Sequence, residues 1–539
     1  MEQISLLYPP EYQFKEQDQF TNFQFIDLLG LKSMIRLKNQ GYLGLSKQCL
    51  EQFFTKNEQV LAYRVEVVKD MVEISGLQDL MKRIVPMIQN ISDMRKVQGH
   101  GDDTIESNLY SIRTLEMYTE ILDLLGQEMA DMKVQSEGMR RLKQLVIKRY
   151  ESQEYSNMKK EMSNVHTSIR QIKSITVGIN IDGTLRAQDA GIVSINTKEY
   201  KKGSILNRIL HQKGEDKFIC MTDLVPTNRV LENQEQLALN TSLTYGLNTI
   251  FAKSIKSWEP IIRRYFSHCT DFLIDILDDI RFLTAGVEFI LEMKQYGLSM
   301  CKPEIKKKQE KCCTLHGVYN PMVAIALEDT KVVANDFQFD EQGMFYIITG
   351  PNHGGKSVFA YSIGMAQALF QLGLYIPAES GVMSPVDNIF THFPSSDENN
   401  YGKGRLESEC ERLRIILDEI TEDSMIILDE AFSSTSGTEA GYIASEVITS
   451  IGVIGCRGLF VTHIHDLPLK VKEFNQHPNN RGKIDNLAAL MENKEDGTRS
   501  YRLARIMPDG LSYAKDIAKK YGLVLEDIVK DKSETSISD

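Results

Sequence analysis

Between positions 350 and 357 the chain reads GPNHGGKS. Gly350, Gly354 and Gly355 let a backbone turn its N–H groups toward an anion, and Lys356 and Ser357 follow directly. The spacing fits G-x-x-x-x-G-K-[ST]. In that arrangement backbone amides cradle phosphate oxygens, the lysine reaches the β- and γ-phosphates, and the serine hydroxyl ligates magnesium. The apolar run before it, from Met344, reads as a buried strand and the pattern after it as a helix, whose N-terminus adds positive potential. Two further apolar runs end in reactive side chains. SMIILDE carries Asp429, suited to hold the magnesium shell, and Glu430, placed to orient or deprotonate an attacking water. GLFVTH delivers His463 to the same crevice, where it is placed to sense the γ-phosphate. Together these residues spell hydrolysis of ATP with Mg2+. A kinase is the weaker reading, because nothing marks a pocket for a phosphoryl acceptor.

These runs are brief and rich in Ile, Val or Phe, as buried parallel strands are. Residues 326–525 are therefore expected to form an α/β P-loop domain of the ABC type. The chain before it is mostly helical, so the fold class is mixed. A helical core is expected over 1–104, although polar breaks such as KNQGYLGLS interrupt the pattern from Phe20 to Pro86. Over 105–173 apolar residues recur at threes and fours among charges, the mark of a long helix with one buried face. At 174–230 the texture changes. Ile175, Val177 and Ile179 alternate as in a strand, an Asp-Gly turn follows, and GIVSIN reads as a second strand. Helices return over 231–325. Two long segments flanking a small β-containing tip is the simplest geometry, with three separately packed subdomains as the alternative. Residues 526–539 form a polar tail.

The bulk composition narrows the class. With 42% hydrophobic and 25% charged residues the chain is ordinary for a globular protein, and its formal net charge of −12 argues against a generally basic coat for nucleic acid. A local basic patch is still enough for phosphate contacts. None of the 8 cysteines forms a CxxC pair. The cluster of Cys301, Cys312 and Cys313 near His316 has poor zinc spacing and reads as structural thiols. The amino-terminal stretch lacks the pattern of a signal peptide, and no apolar run is long enough to span a bilayer. The expectation is a reduced, cytoplasmic protein with no membrane partner.

In order along the chain, VVANDF, YIITGPNHGGKS, GLYIPAES, ILDEAFSSTSGTEAG, VTHIHDL and MPDGLSYAKDIAKKYGL resemble the ATPase domain of the MutS family of DNA mismatch-repair proteins. The likeness is strong from Lys331 to Leu523 and weaker before, where it extends to that family's core, lever helices and clamp. The resemblance implies further roles. Pro351, Asn352 and His353 sit in the loop beside the phosphates, Val332 lies near the adenine, and Ser433 to Ser436 form a loop that meets a second subunit. His463 matches the family's switch histidine. It also implies a homodimer, or a pair with a close paralogue, with composite ATP sites at the interface.

Three departures from the family pattern stand out. No mismatch-reading or connector domain is expected before the core, and no Phe-x-Glu wedge of the kind that opens a kinked step. In DENNYGKGRLESE, Gly404 and Arg405 stand where the family has Ser and Thr, leaving Gly402, Gly404 and backbone amides to meet phosphate across the dimer, with Arg405 placed to supply charge. No Smr-type nuclease domain is expected to follow. The tip carries Lys198, Lys201, Lys202, Arg208 and Lys213, a local excess of positive charge suited to sequence-independent phosphate contacts with double-stranded DNA. The expected function is an ATP-hydrolysing dimeric clamp on DNA, acting in mismatch repair or recombination. The alternative is a nucleotide-dependent dimerising ATPase that binds a protein partner.

Overall fold

The computed structural model describes residues 4–35, 47–98, 105–170, 173–181, 183, 187–202, 219–220, 260–262, 264–266, 269–327, 332–393, 404–433, 435–493, 498–507 and 524. The chain divides into two compact units. One comprises Met1–Gln3, Lys82–Met132 and Arg141–Leu277; the other Ile4–Met81, Lys133–Arg140 and Asp278–Asp539.

Helix α1 (Glu58–Glu73) starts where the Asn57 side chain accepts the backbone N–H groups of Gln59 and Val60. Helix α2 (Leu77–Gln98) runs on through Pro86, where the sequence pattern fades. Ile84, Val85, Ile88 and Ile91 are wholly buried around that point, which offsets the hydrogen bond proline cannot make. The stripe that begins at Ile105 is shared among α3 (Ile105–Ala130), α4 (Glu137–Tyr150) and α5 (Gln153–Arg170). Its first break is made by buried Asp70, whose carboxylate accepts the backbone N–H groups of Gln135 and Ser136 and the Ser136 hydroxyl. Strands β1 (Ser174–Ile181) and β2 (Ala187–Asn196) form the expected antiparallel hairpin, with Val177 opposite Ile192. A short parallel pair follows, β3 (Lys201–Lys202) with β4 (Ile219–Cys220).

Beyond α6 (Leu277–Gln295) the chain lays down two sheets. The smaller has the order β5 (Glu304–Ile305), β9 (Ser380–Met383), β6 (Cys313–Val318), β7 (Asn335–Phe339), with helix α7 (Pro321–Leu327) between β6 and β7 in sequence. The larger has six strands in the order β10 (Ile389–His392), β11 (Met425–Asp429), β12 (Arg457–Val461), β8 (Phe345–Thr349), β13 (Ile484–Asn493), β14 (Thr498–Ala504). All neighbours are parallel except the antiparallel edge strand β14. The three runs expected as parallel strands are thus β8, β11 and β12, adjacent at the middle of the sheet.

Side chains on β11 alternate between two helical layers, as the two-residue period of a strand requires. Ile426 and Leu428 pack into a cluster with Leu413 of α9 (Arg405–Glu419), Ile448 of α10 (Gly437–Ile454) and Phe474 of α11 (Val471–Gln476). Ile427 points the other way, against Gly364 of α8 (Lys356–Gln371). Asp429, two residues further on, shares the α8 side. Strands β8, β11 and β12 all end at one edge, so the loops that follow them meet there.

Strand β12 can sit this tightly between β11 and β8 because Gly458 has no side chain: a Cβ there would lie 2.6 Å from the Ile426 carbonyl oxygen and 2.9 Å from the Phe345 ring. Gly458→Ala is expected to lower stability by about 1–3 kcal/mol, read as a shifted urea midpoint. An unchanged midpoint would contradict this packing.

Candidate functional site

The loop between β8 and α8 holds its shape through backbone conformations that few residues adopt. Gly350 has φ 139° and Gly355 φ 84°, and a Cβ on Gly350 would come within 2.8 Å of the Ala489 Cβ. His353, with φ 59°, is left-handed without being glycine. Among the described residues five non-glycine positions have positive φ, and four of them, His353, Glu430, Phe432 and Tyr501, lie at or beside this edge of the sheet. Each such position costs about 1–3 kcal/mol, strain that persists only where the surroundings over-determine it.

Helix α8 brings the first reactive groups. Lys356 is buried, and its ammonium donates to the Gly350 and Pro351 carbonyls at 3.1 and 2.9 Å. Burial lowers its pKa, while the nearby carboxylates of Glu430 and Asp429 raise it. One residue on, the Ser357 hydroxyl donates to Asp429 Oδ1 at 2.8 Å. The Tyr361 hydroxyl donates to Oδ2 of the same carboxylate at 2.6 Å, and its ring stacks on Phe393 with centroids 4.2 Å apart. Burial raises the pKa of Asp429 above the ordinary carboxylate value, and the two hydroxyls pull it back. The next carboxylate is more exposed. Glu430 Oε1 and His463 Nε2 are 2.7 Å apart, with both side chains about two-fifths exposed (38% and 42%).

These groups surround two cavities. One, of about 530 Å³, is lined by Asn352 to Val358 together with Glu430 and His463. The other, of about 470 Å³, shares His353, Gly355 and Val358 and is otherwise more apolar, with Val332, Val333, Val323, Leu327 and Tyr501 in its wall. The first suits a charged chain of oxygens and the second a flat, weakly polar ring.

The sequence-picked residues Gly350 to Ser357, Asp429, Glu430 and His463 are therefore brought together, with Val332 in the adjoining cavity. Others are not. Gly404 caps the start of α9 with φ −67°, an ordinary extended conformation, and a Cβ there would meet nothing within 4 Å. Lys198 is exposed after β2. Lys201 and Lys202 form β3, but their side chains, like Gly402, Arg208 and Lys213, lie outside the described residues. Tyr361 escaped sequence reasoning. Its signal was the four-residue step from Ser357, which puts both hydroxyls on one helix face. Tyr501 escaped it as well, because only the folded strand β14 brings it against Gly355.

The donors at Asp429 and Ser357 are all oxygen, and among the described residues no group of three His, Cys, Asp or Glu could hold a metal by itself. Such a set fits a hard cation completed by water and ligand oxygens, as magnesium prefers, and does not fit a protein-caged zinc.

Fold and site together define an α/β domain with a glycine-rich loop at the carboxyl ends of its parallel strands, preceded by helical segments. Comparison with known proteins agrees. Residues 346–532 match the family described as MutS domain V, and residues 56–296 match the MutS2 N-terminal domain. Among similar proteins, the DNA mismatch repair protein MutS of Prochlorococcus marinus (strain MIT 9301) is 34% identical over 218 residues, 40% of this chain and 23% of that one. MutS of Halothermothrix orenii is 34% identical over 204 residues, 37% of this chain and 22% of that one. MutS of Clostridium botulinum (strain Hall) is 25% identical over 411 residues, 70% of this chain and 43% of that one. The chain thus spans less than half the length of each of these relatives. It belongs to the MutS family.

Because its folded-state pKa is raised, the Asp429 carboxyl binds more protons in the native than in the unfolded state across the window between the two values. Its ionisation therefore lowers stability as pH rises through that window. Asp429→Asn is expected to raise the denaturation midpoint of the ligand-free protein at pH 7, with the advantage shrinking as pH falls through the carboxylate range. A variant less stable than the parent at pH 7 would contradict the dominance of burial.

Proposed function

We propose that the chain binds and hydrolyses ATP with Mg2+ at this edge of the sheet and couples the cycle to contact with double-stranded DNA, as a dimeric MutS-type protein in DNA repair or recombination. The observation that carries the reading is the convergence of Lys356, Ser357, Asp429, Glu430 and His463 on one cleft beside an apolar cavity. The backbone amides from Asn352 to Lys356 would cradle the phosphates at the start of α8. The Lys356 ammonium, now spent on two loop carbonyls, would exchange them for β- and γ-phosphate oxygens. Magnesium, when bound with the nucleotide, supplies neutralisation of charge developing on those oxygens. Ser357 and Asp429 would hold it, with Tyr361 fixing the carboxylate from the far oxygen. Glu430 would orient or deprotonate the attacking water, and His463, already against its carboxylate, would couple that carboxylate to the terminal phosphate. Val332 and its apolar neighbours would receive the adenine.

The family relationship supports the DNA side of the proposal. The basic tip within 174–230, with Lys198, Lys201, Lys202, Arg208 and Lys213, would contact duplex phosphates, while residues 326–525 of two copies would meet across nucleotide. No helix among the described residues is long and apolar enough to cross a membrane, and the proposed place of action is the cytoplasm.

ATP turnover measured with plain, mismatched and branched duplex tests the reading. Duplex is expected to raise the rate, and Lys356→Ala to lower it by about 100-fold or more, the scale of losing a main electrostatic contact to the transition state. Turnover indifferent to every duplex would instead favour a protein partner. Replacing Lys201 and Lys202 with Glu should weaken duplex binding about equally across sequences and flatten the salt dependence by about 2 units of slope. An unchanged affinity and slope would remove the tip from the interface.

A further inference from the structure

The turn that carries Glu430 is held from a second direction. Directly after Asp429 the chain takes two left-handed residues, Glu430 at φ 49° and Phe432 at φ 67°. Neither is a glycine, so something outside the turn must hold it. One anchor comes from β12, where the Val461 carbonyl accepts the Glu430 backbone N–H at 2.9 Å. The other comes from α9. Glu409 is buried, and its Oε1 accepts the Phe432 backbone N–H at 2.8 Å while lying 3.2 Å from His392 Nε2 at the end of β10. A buried carboxylate therefore spans α9, β10 and the strained turn at once.

We infer that Glu409 is a positioning residue for Glu430. It lies beneath the turn and is not among the residues that line the cleft. By fixing Phe432 it fixes the direction in which the Glu430 carboxylate leaves the backbone, toward His463 and the space over Ser357. A misplacement of about 1 Å of a water-orienting group can cost on the order of 100-fold in rate. Leu413 and Ile416 of α9 also pack in one cluster with Ala431 and Phe432, but the hydrogen bond from Phe432 to Glu409 is the directional link, so the rate of the hydrolytic step depends on the placement of α9. Burial pushes the Glu409 carboxyl up, but the bonds from His392 and Phe432 outweigh it and leave it below the ordinary glutamate value. The acceptor is thus an anion, which strengthens its hold on the amide.

The inference rests on the reading of Glu430 as the water-orienting group, and a double-mutant cycle separates the two. Glu409→Ala should lower kcat by on the order of 10- to 100-fold while the Kd of a non-hydrolysable ATP analogue changes less than about threefold. Glu409→Gln, which keeps an acceptor oxygen for Phe432, should restore most of the rate. In a Glu430→Ala background Glu409→Ala should cost nothing further in single-turnover assays, because the group it positions is gone. If Glu409→Ala does not fold, Glu409→Asp, one methylene short of the amide, takes its place in the cycle. Losses that multiply in the double variant, or an equal loss of analogue affinity, overturn the positioning role and leave the reading of Glu430 standing. Undiminished turnover in Glu430→Ala alone overturns both.

Discussion

Two hydroxyls one helical turn apart close on a single buried carboxylate, and the working edge of this protein is arranged around that contact. Ser357 and Tyr361 on α8 each give a hydrogen bond to Asp429 at the tip of β11. The contact ties the helix that follows the glycine-rich loop to a buried parallel strand of the sheet, and so sets where the loop, Lys356 and the cleft can be. It is also costly, because a carboxylate is kept where burial disfavours its charge. A site of this kind is unfinished electrostatically: the energy it lacks is what a cation with a polyphosphate would return.

The same edge gathers most of the backbone strain seen among the described residues. Gly350 and Gly355 meet it with conformations open to glycine, whereas His353, Glu430 and Phe432 meet it with ordinary side chains. A tightly packed parallel sheet makes this tolerable. Gly458 and Gly364 let strands and helix approach without gaps, and Ile426, Leu428 and Phe460 fill the other face. Rigid strands then hold the strained loops at one end, where neighbouring segments can over-determine them.

How much of this was legible beforehand follows from where the information lies. The β8, β11 and β12 runs were visible because strands buried on both faces are continuously apolar, and the picked side chains sit at or just past two of their ends, Asp429 and Glu430 at β11 and His463 two residues beyond β12. The hairpin at Ser174 was visible through its alternation. The break between α3 and α4 was not, because the group that makes it, Asp70, is 66 residues away from Ser136 in sequence. Tyr361 lay inside a segment read only as the helix after the loop, and nothing in the sequence singled out Glu409. Gly404, which departs from the family's residue at that position, has an extended backbone that imposes no glycine, so the departure answers to something other than local conformation.

Membership of the MutS family and the local geometry meet at one claim, that this carboxylate with its two hydroxyls and the glycine-rich loop form a magnesium–triphosphate site. Calorimetric titration of a non-hydrolysable ATP analogue, with magnesium and with chelator, tests it most directly. The account predicts saturable binding that weakens markedly without magnesium and becomes insensitive to the metal in Ser357→Ala. Binding equally tight under both conditions in the parent protein, or no binding heat in either, would contradict it.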